Sequence, residues 1–385
     1  MKVIGIDATN LLEGGGITHL QELLEHSNPL DNNFDKIIVW GANKTLSKIS
    51  NQVWLEKKSN FLLNGNLIFR LIWRVFLSKI EYKKYNCSIL FSPGGSDKSG
   101  FKPMVTMCRN MLPFEREQSL NFGYGLKWVK FLLLKKFQSN TFLNANGLIF
   151  LTNYAAKTVT EILPALRNNF IIIPHGISDR FFIEPRKQID IFNSQNKCKI
   201  IYVSKTDPYK HHLNLIKALY KLISNNYHVE LSLIGPRGSS AKKVDKLIKE
   251  LDPNHHFIKN LGKIEYESLN SYYKSADIAI FASSCENMPN ILLETMASGL
   301  PIASSNFGPM PEILGENALY FNPYNVEEIY NSISRLIDSS KLRTELALRS
   351  YLLSKSFSWG TCTSATFNYL HKIYTNYNNQ INDKK

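Results

Sequence analysis

The chain has 385 residues, of which 44% are hydrophobic and 20% charged, and its formal net charge is +14. That length exceeds one ordinary core and predicts two domains, while that balance excludes a disordered or fibrous chain. The charge surplus draws polyanions such as nucleic acid, an anionic membrane face or phosphorylated ligands, but zinc-finger spacing, aromatic ribonucleoprotein motifs and an arginine-rich tail are all missing, so no nucleic-acid partner is expected.

Cys87, Cys108, Cys198, Cys285 and Cys362 show neither paired nor metal-like spacing, which predicts reduced thiols and no metal site. No apolar run reaches the roughly 18–20 residues that span a bilayer. Residues 1–7 pass straight into a strand pattern without a leader, and a cytoplasmic location is expected.

In chain order, apolar runs at 3–6, 37–40, 88–92, 104–107, 147–152 and 171–173 predict strands separated by helical stretches. Such alternation predicts a parallel sheet covered by helices. After the first run, Glu13-Gly14-Gly15-Gly16 opens a helix; glycines there let backbone approach a ligand and leave N–H groups at a helix start, or simply make a turn. Residues 66–79 and 125–136 are apolar and basic, with Arg70, Trp73 and Arg74 in the first and Trp128 in the second. Helices of this kind lie in a lipid headgroup layer or pack on a sheet. The polar interval 183–199 lacks periodicity and is the expected interdomain connection. The strand rhythm restarts at 200–203, 229–235, 257–262, 278–281 and 301–304, and a helical run follows residue 357.

Two loops of the second half carry chemistry. Lys205 and Lys210 stand five apart between a strand and a helix; both can face one diphosphate as its charge grows, or remain solvated. Further on, a strand leads to a loop with Glu286, a helix start at Pro289, and Glu294 about one and a half turns in. Gly299 and Pro301 stop that helix. A helix start after a parallel strand offers N–H groups and positive dipole to an anion. A carboxylate one turn deeper can take the paired hydroxyls of a ribose. The arrangement suits a nucleotide diphosphate with a group at its far end.

Glu286 and Glu294, followed by Met296-Ala297-Ser298-Gly299-Leu300-Pro301, resemble the glutamate-x-seven-glutamate motif of family 4 retaining glycosyltransferases, and weaker pieces extend from Met1 to Tyr369. The resemblance implies an α/β chain of GT-B fold, two Rossmann-like domains with parallel sheets facing a central cleft. Residues 1–182 would form the N-terminal acceptor-binding domain and 183–356 the C-terminal nucleotide-sugar-binding domain. Residues 357–375 would form a helix crossing back, and 376–385 a fraying polar tail.

The same resemblance gives Lys205 the place of the family's arginine and Lys210 that of its lysine, both catalytic with Glu286. Asn287, Met288, Pro289, Asn290 and Ile291 would meet the transferred sugar, and Glu294 the ribose. Gly235 and Leu261 would lie beside the nucleotide, and Gly15 and Gly16 near the donor diphosphate and the acceptor. Arg109 and Asn110 stand where the family carries histidine and aspartate, and His175 where relatives often have asparagine; Arg109 and His175 join the donor-binding set. The implied activity is retaining, metal-independent transfer from a UDP- or GDP-sugar, with no cofactor, to a lipid-linked saccharide in O-antigen, lipopolysaccharide or capsule biosynthesis. The enzyme would sit peripherally at the inner face of the cell membrane. A nucleotide-sugar epimerase of GT-B fold and a non-catalytic nucleotide-sugar binding protein remain open.

Overall fold

The apolar runs become strands of two parallel sheets in a computed structural model that describes residues 1–12, 14–167 and 169–383. The first sheet holds β1 (Val3–Asp7), β2 (Lys36–Trp40), β3 (Leu55–Lys58), β4 (Cys87–Ser92), β5 (Met104–Met107), β6 (Gly147–Phe150) and β7 (Phe170–Ile172). Their order is β3-β2-β1-β4-β5-β6-β7. The second holds β8 (Cys198–Val203), β9 (Val229–Ile234), β10 (Ile258–Gly262), β11 (Ile278–Phe281), β12 (Ile302–Ser305) and β13 (Leu319–Phe321), in the order β10-β9-β8-β11-β12-β13. Both orders run outward from the first strand and then jump back across it. Each sheet therefore has a switch point, between β1 and β4 and between β8 and β11, where the loops leaving neighbouring strands part and open a crevice.

The central strands β1 and β11 are buried at every position, as strands covered on both faces must be. The strands that sequence patterning missed lie at edges. β3 reads Leu-Glu-Lys-Lys, half-exposed throughout, and lysines on an edge strand block further pairing. β13 has three residues, too short to show a period.

The chain divides into two units. The first comprises 1–114, 129–176 and 358–385; the second comprises 115–128 and 177–357. This moves the expected boundaries. The strip 115–128, assigned above to the N-terminal domain, packs within the second unit. The interval 183–199 is no free linker. The Ile183 N–H donates to the Ala297 carbonyl at 2.9 Å, and Arg186 pairs with Asp277 at 2.6 Å. Buried Arg343 donates to the carbonyls of Ile189, Leu336 and Ile337. The chain changes unit at 176/177 and 357/358 instead.

In the second unit, Ile200, Tyr202, Leu219, Leu231, Ile280 and Ile333 share one core. In the first, the helix Trp359–Asn382 buries Phe367 and Leu370. A Cβ on Gly147 would come within 2.9 Å of the Tyr369 ring, so the glycine lets this helix approach β6. The helix continues to Asn382, through most of the expected tail; residues 384–385 lie outside the described residues.

Helical turns run continuously over Leu67–Ile72, Trp73–Leu77 and Ser78–Lys84. Trp73 and Tyr82 are fully buried, whereas Leu67, Ile68, Phe69, Ile72, Val75, Phe76 and Ile80 are exposed. The expected basic stripe is broken, because Arg74 turns inward to Asp7, Nε to Oδ2 3.8 Å. Lys79, Lys83 and Lys84 supply the exposed positive charge instead. The helix Leu126–Asn144 exposes Val129, Leu132 and Leu133 beside Lys127, Lys130 and Lys136. Among the described residues no helix is long and apolar enough to cross a membrane.

Candidate functional site

The second unit concentrates its polar chemistry at the switch point between β8 and β11. The loop after β8 carries Lys205 and Lys210, and the loop after β11 carries Glu286. The two are joined across the crevice by an ion pair between Lys210 Nζ and Glu286 Oε1. Both side chains are mostly buried, 13% and 14% exposed. A pair this sheltered from water is weakly screened, and losing either partner strands the other charge. Tyr202 fixes the lysine from behind, donating its hydroxyl to the Lys210 carbonyl at 2.8 Å. The Ser284 N–H donates to the Tyr209 carbonyl at 2.8 Å, tying the same two loops by backbone.

Lys205 is half-exposed and pairs with Asp207 at 3.3 Å. Burial pushes the Asp207 carboxyl up, but the Ser239 N–H and hydroxyl, with Lys205, outweigh it and hold the group below the usual carboxylate range. Gly235 explains why the next loop can lie so close. Its φ is +145°, and any Cβ would overlap the Ser204 carbonyl, a conformation and a contact that only glycine accepts. The Gly235 N–H reaches the Gly262 carbonyl at 2.7 Å and the Thr206 N–H the Pro236 carbonyl at 3.2 Å. The loops after β8, β9 and β10 are thus laced together, with Leu261 exposed at the end of β10.

The helix after Glu286 is Asn290–Ala297. Pro289 stands one place earlier than expected, at the N-cap, and no side chain caps the helix. Its first turn holds no acid, so its positive end remains available to an anion. Asn287 and Met288 are buried, whereas Asn290 and Ile291 are partly exposed. Glu294 is 4% exposed, and Tyr266 donates its hydroxyl to Glu294 Oε1 at 2.6 Å. Arg180 lies over the Tyr266 ring, 3.9 Å from its centroid. Arg237 pairs with Asp245 on the exposed surface.

Sequence reasoning missed a polar network beside the ion pair. His211 Nε2 lies 2.8 Å from Ser284 Oγ, which donates to Gln118 Oε1 at 2.6 Å; the Tyr324 hydroxyl donates to the same oxygen at 3.0 Å. Gln118 belongs to the strip 115–128, so this network fastens the strip to the switch-point loops. His211 has φ +50°, uncommon for a side chain with a Cβ. Burial lowers His211 to about 4 and His212 to about 3, so both rings are neutral at pH 7. Burial, with Glu286 next, raises the Tyr209 phenol. The clue in the sequence was His211-His212 directly after Lys210; Gln118 and Tyr324 gave none.

The other expected residues belong to the first unit. Gly15 and Gly16 open the helix Gly15–Glu25, whose N-cap Gly14 has φ +70°; Glu13 lies outside the described residues. Arg109 Nη1 is 3.2 Å from where a Cβ on Gly16 would stand. His175 packs its ring on His19, centroids 5.0 Å apart, and on Trp359 at 5.5 Å. Among the described residues, no group of three or more His, Cys, Asp and Glu is placed to hold a metal ion.

Residues 185–351, almost all of the second unit, match the family model described as Glycosyl transferases group 1. The matched segment is the part of the chain that carries Lys205, Lys210, Glu286 and Glu294. The chain is similar to the O-antigen chain mannosyltransferase B of Escherichia coli, 28% identical over 170 residues, 44% of either chain. It is also similar to Protein CapJ of Staphylococcus aureus, 29% identical over 220 residues, 56% of this chain and 53% of that one. These matches span about half the length of the curated relatives. Among solved structures, a sucrose-phosphate synthase from Thermosynechococcus elongatus superposes with a TM-score of 0.77 at 15% identity, covering 97% of this chain and all of that one. Anabaena Alr3699/HepE, solved in complex with UDP and glucose, gives 0.70 at 17% identity over 97% of this chain and all of that one. The fold is GT-B.

Proposed function

Starting from a chain whose second unit matches the group 1 glycosyl transferase family model, we infer that the protein is a retaining glycosyltransferase using a nucleotide-sugar donor. The observation that carries this reading is the Lys210–Glu286 ion pair across the β8/β11 switch point, beside the open start of the helix Asn290–Ala297. Lys210 and Lys205 face the diphosphate, whose charge grows as its bond to the sugar breaks, and the helix start adds N–H groups. This supply of positive charge does the work without a metal ion. Glu286 and the backbone of 287–291 hold the sugar hydroxyls, and Glu294, oriented by Tyr266, takes the ribose. Gly235 and Leu261 flank the base, uridine or guanosine.

In the reaction, the bond from the anomeric carbon to the phosphate oxygen breaks and a bond to the acceptor oxygen forms on the same face. The acceptor proton passes to an oxygen of the leaving diphosphate. A panel of UDP- and GDP-sugars tests the reading by thermal shift in EDTA, since a ligand of the folded state raises the melting temperature by mass action. One nucleotide sugar is expected to stabilise the wild type and to lose its effect in K210A. Failure of every nucleotide sugar, with an unrelated ligand class succeeding, would abandon the reading.

The acceptor is a lipid-linked saccharide of a surface polysaccharide, and the protein works at an anionic membrane surface. Support comes from the exposed face Leu67, Ile68, Phe76 and Ile80, at 72%, 67%, 68% and 61% exposure, flanked by Lys79, Lys83 and Lys84. Apolar area next to basic charge complements an anionic headgroup layer. A second copy of so basic a chain would instead be repelled. Co-sedimentation with phosphatidylglycerol vesicles is expected for the wild type and not for the double variant I68D/F76D. Equal sedimentation of the two would remove the membrane from the proposal.

A further inference from the structure

Three loops of the second unit are tied together through one side chain that none of them carries. Gln118 comes from the strip 115–128, which lies in sequence between β5 and β6 and packs in the second unit. Its Oε1 accepts from Ser284 Oγ at 2.6 Å, from the Tyr324 hydroxyl at 3.0 Å and from Asn121 Nδ2 at 3.2 Å. Ser284 belongs to the loop after β11 and Tyr324 to the loop after β13. His211, from the loop after β8, reaches Ser284 Oγ with Nε2 at 2.8 Å and stands edge-on to the Tyr324 ring, centroids 4.4 Å apart. Gln118, Ser284 and His211 are all buried, so water does not stand in for these bonds.

The protons of this network have one order. Gln118 Oε1 has no proton to give, and it also receives Asn121 Nδ2, a group that can only donate. The single hydroxyl proton of Ser284 therefore goes to Gln118, and the neutral His211 ring donates from Nε2 to Ser284 Oγ. Gln118 thus fixes the direction of the hydroxyl and the tautomer of the ring. Both groups are neighbours of the charged pair. His211 follows Lys210 directly, and Ser284 stands two places before Glu286. A fully bonded buried network holds one geometry, and a member that loses its partner turns to another. Re-aiming a reacting group by about 1 Å is enough to lower a rate by about 10²-fold. Glu294 has separate support, because Tyr266 holds it from the segment after β10.

We propose that Gln118 is a positioning residue for sugar transfer: through Ser284 and His211 it sets Lys210 and Glu286 in the geometry that the transition state needs. A segment drawn from between β5 and β6 thus takes part in the site of the second unit. The proposal rests on the sugar-transfer reading above and adds a residue to it.

Two variants of the full chain test it. Q118L keeps the bulk and removes the acceptor, and Q118E keeps an acceptor oxygen at the same reach. Nucleotide release from each UDP- and GDP-sugar of the panel above, with water as acceptor, reads kcat, and calorimetry with UDP and GDP reads affinity. Q118L should lower kcat by about tenfold or more and leave nucleotide affinity within about twofold. Q118E should restore most of the rate. S284A should act like Q118L, and Q118L/S284A should be no worse than either alone, because the two act through one bond. The coupling between Lys210 and Glu286 is read without substrate, from urea melts of K210A, E286A and K210A/E286A. It should weaken by about threefold or more in the Q118L background. Nitrogen NMR of the His211 ring should show the Nε2–H form in the wild type and lose that preference in Q118L. An unchanged kcat or an unchanged coupling in Q118L overturns the proposal. So do equal losses of rate and nucleotide affinity, or additive effects of Q118L and S284A. If Q118L does not fold, S284A carries the same readouts. Failure of every nucleotide to bind the wild type sinks the transferase reading. The coupling tells that apart from failure of this proposal, since Q118L should weaken it either way.

Discussion

The two units share one topology and treat charge at their switch points in opposite ways. In the second unit, Lys210 faces Glu286, Lys205 faces Asp207, and Ser284 and Gln118 are hydrogen-bonded to their neighbours. In the first, among the described residues, Arg109 and His19 face no acid, and three of their nitrogens have no hydrogen-bond partner. A paired site is preorganised: its groups keep their positions before a ligand arrives, as transition-state stabilisation requires.

The largest effect that would break this comparison comes from Lys210. K210A removes the cation that the proposed reaction sets against the leaving group and strands Glu286 in a mostly buried position. Turnover should fall by about 10²–10³-fold, the range for losing one preorganised electrostatic group. Stability should fall as well, by about 3 kcal/mol, because an uncompensated buried charge remains. The double variant K210A/E286A should recover much of that stability and none of the turnover. Denaturant melts and initial rates on the three proteins separate the two consequences. R109A should behave oppositely in stability, since it removes a charge that had no partner, and its melting temperature should hold or rise.

A smaller effect comes from pH. His211 and His212 have ordinary unfolded values near 6.5, and burial holds them to about 4 and about 3 in the folded protein. Their contribution is therefore fully present above 6.5 and is lost as the pH falls toward those folded values. Between pH 7 and pH 5 each should remove about 2 kcal/mol from the second unit. Urea midpoints measured at both pH values in the wild type and in H211Q check this; the variant should lose about half as much. An equal loss in both proteins would mean that His211 is not protected from protonation.

Much of this arrangement was legible from periodicity. Buried strands read as apolar runs because both of their faces are covered, so β1, β8 and β11 stood out. The glutamate pair was legible because Pro289, Gly299 and Pro301 punctuate a helix at fixed places, although Pro289 proved to be the cap and not the first helical residue. Edges were not legible: Leu55–Lys58 pairs in a sheet despite its charges. Neither was anything that depends on residues far apart in sequence. Gln118 reaches Ser284 across 166 positions, and no local pattern announces it. Arg74 read as part of a basic stripe because a helix shows its surface in sequence but not which acid stands below it; Asp7 turned it inward.

The smallest expected effect sharpens the comparison by isolating what matters about a cation in the second unit. Arg237 follows β9, one strand from Lys205, and shares its sign. Its partner Asp245 is 41% exposed and Arg237 itself 63%. Water screens such a pair, so R237A should change stability by less than about 1 kcal/mol. Nucleotide-sugar affinity and turnover should stay at the wild-type level, while K210A loses both. Placed side by side, the two variants ask whether positive charge on these loops acts by its presence or by its position. If R237A also lowered turnover, the loops would be working as a diffuse basic field, and the ion pair at the β8/β11 crevice would lose its special standing. If it does not, the difference between the lysine and the arginine lies in shelter from water, since a charge held out of bulk solvent acts on the diphosphate at a much lower effective dielectric.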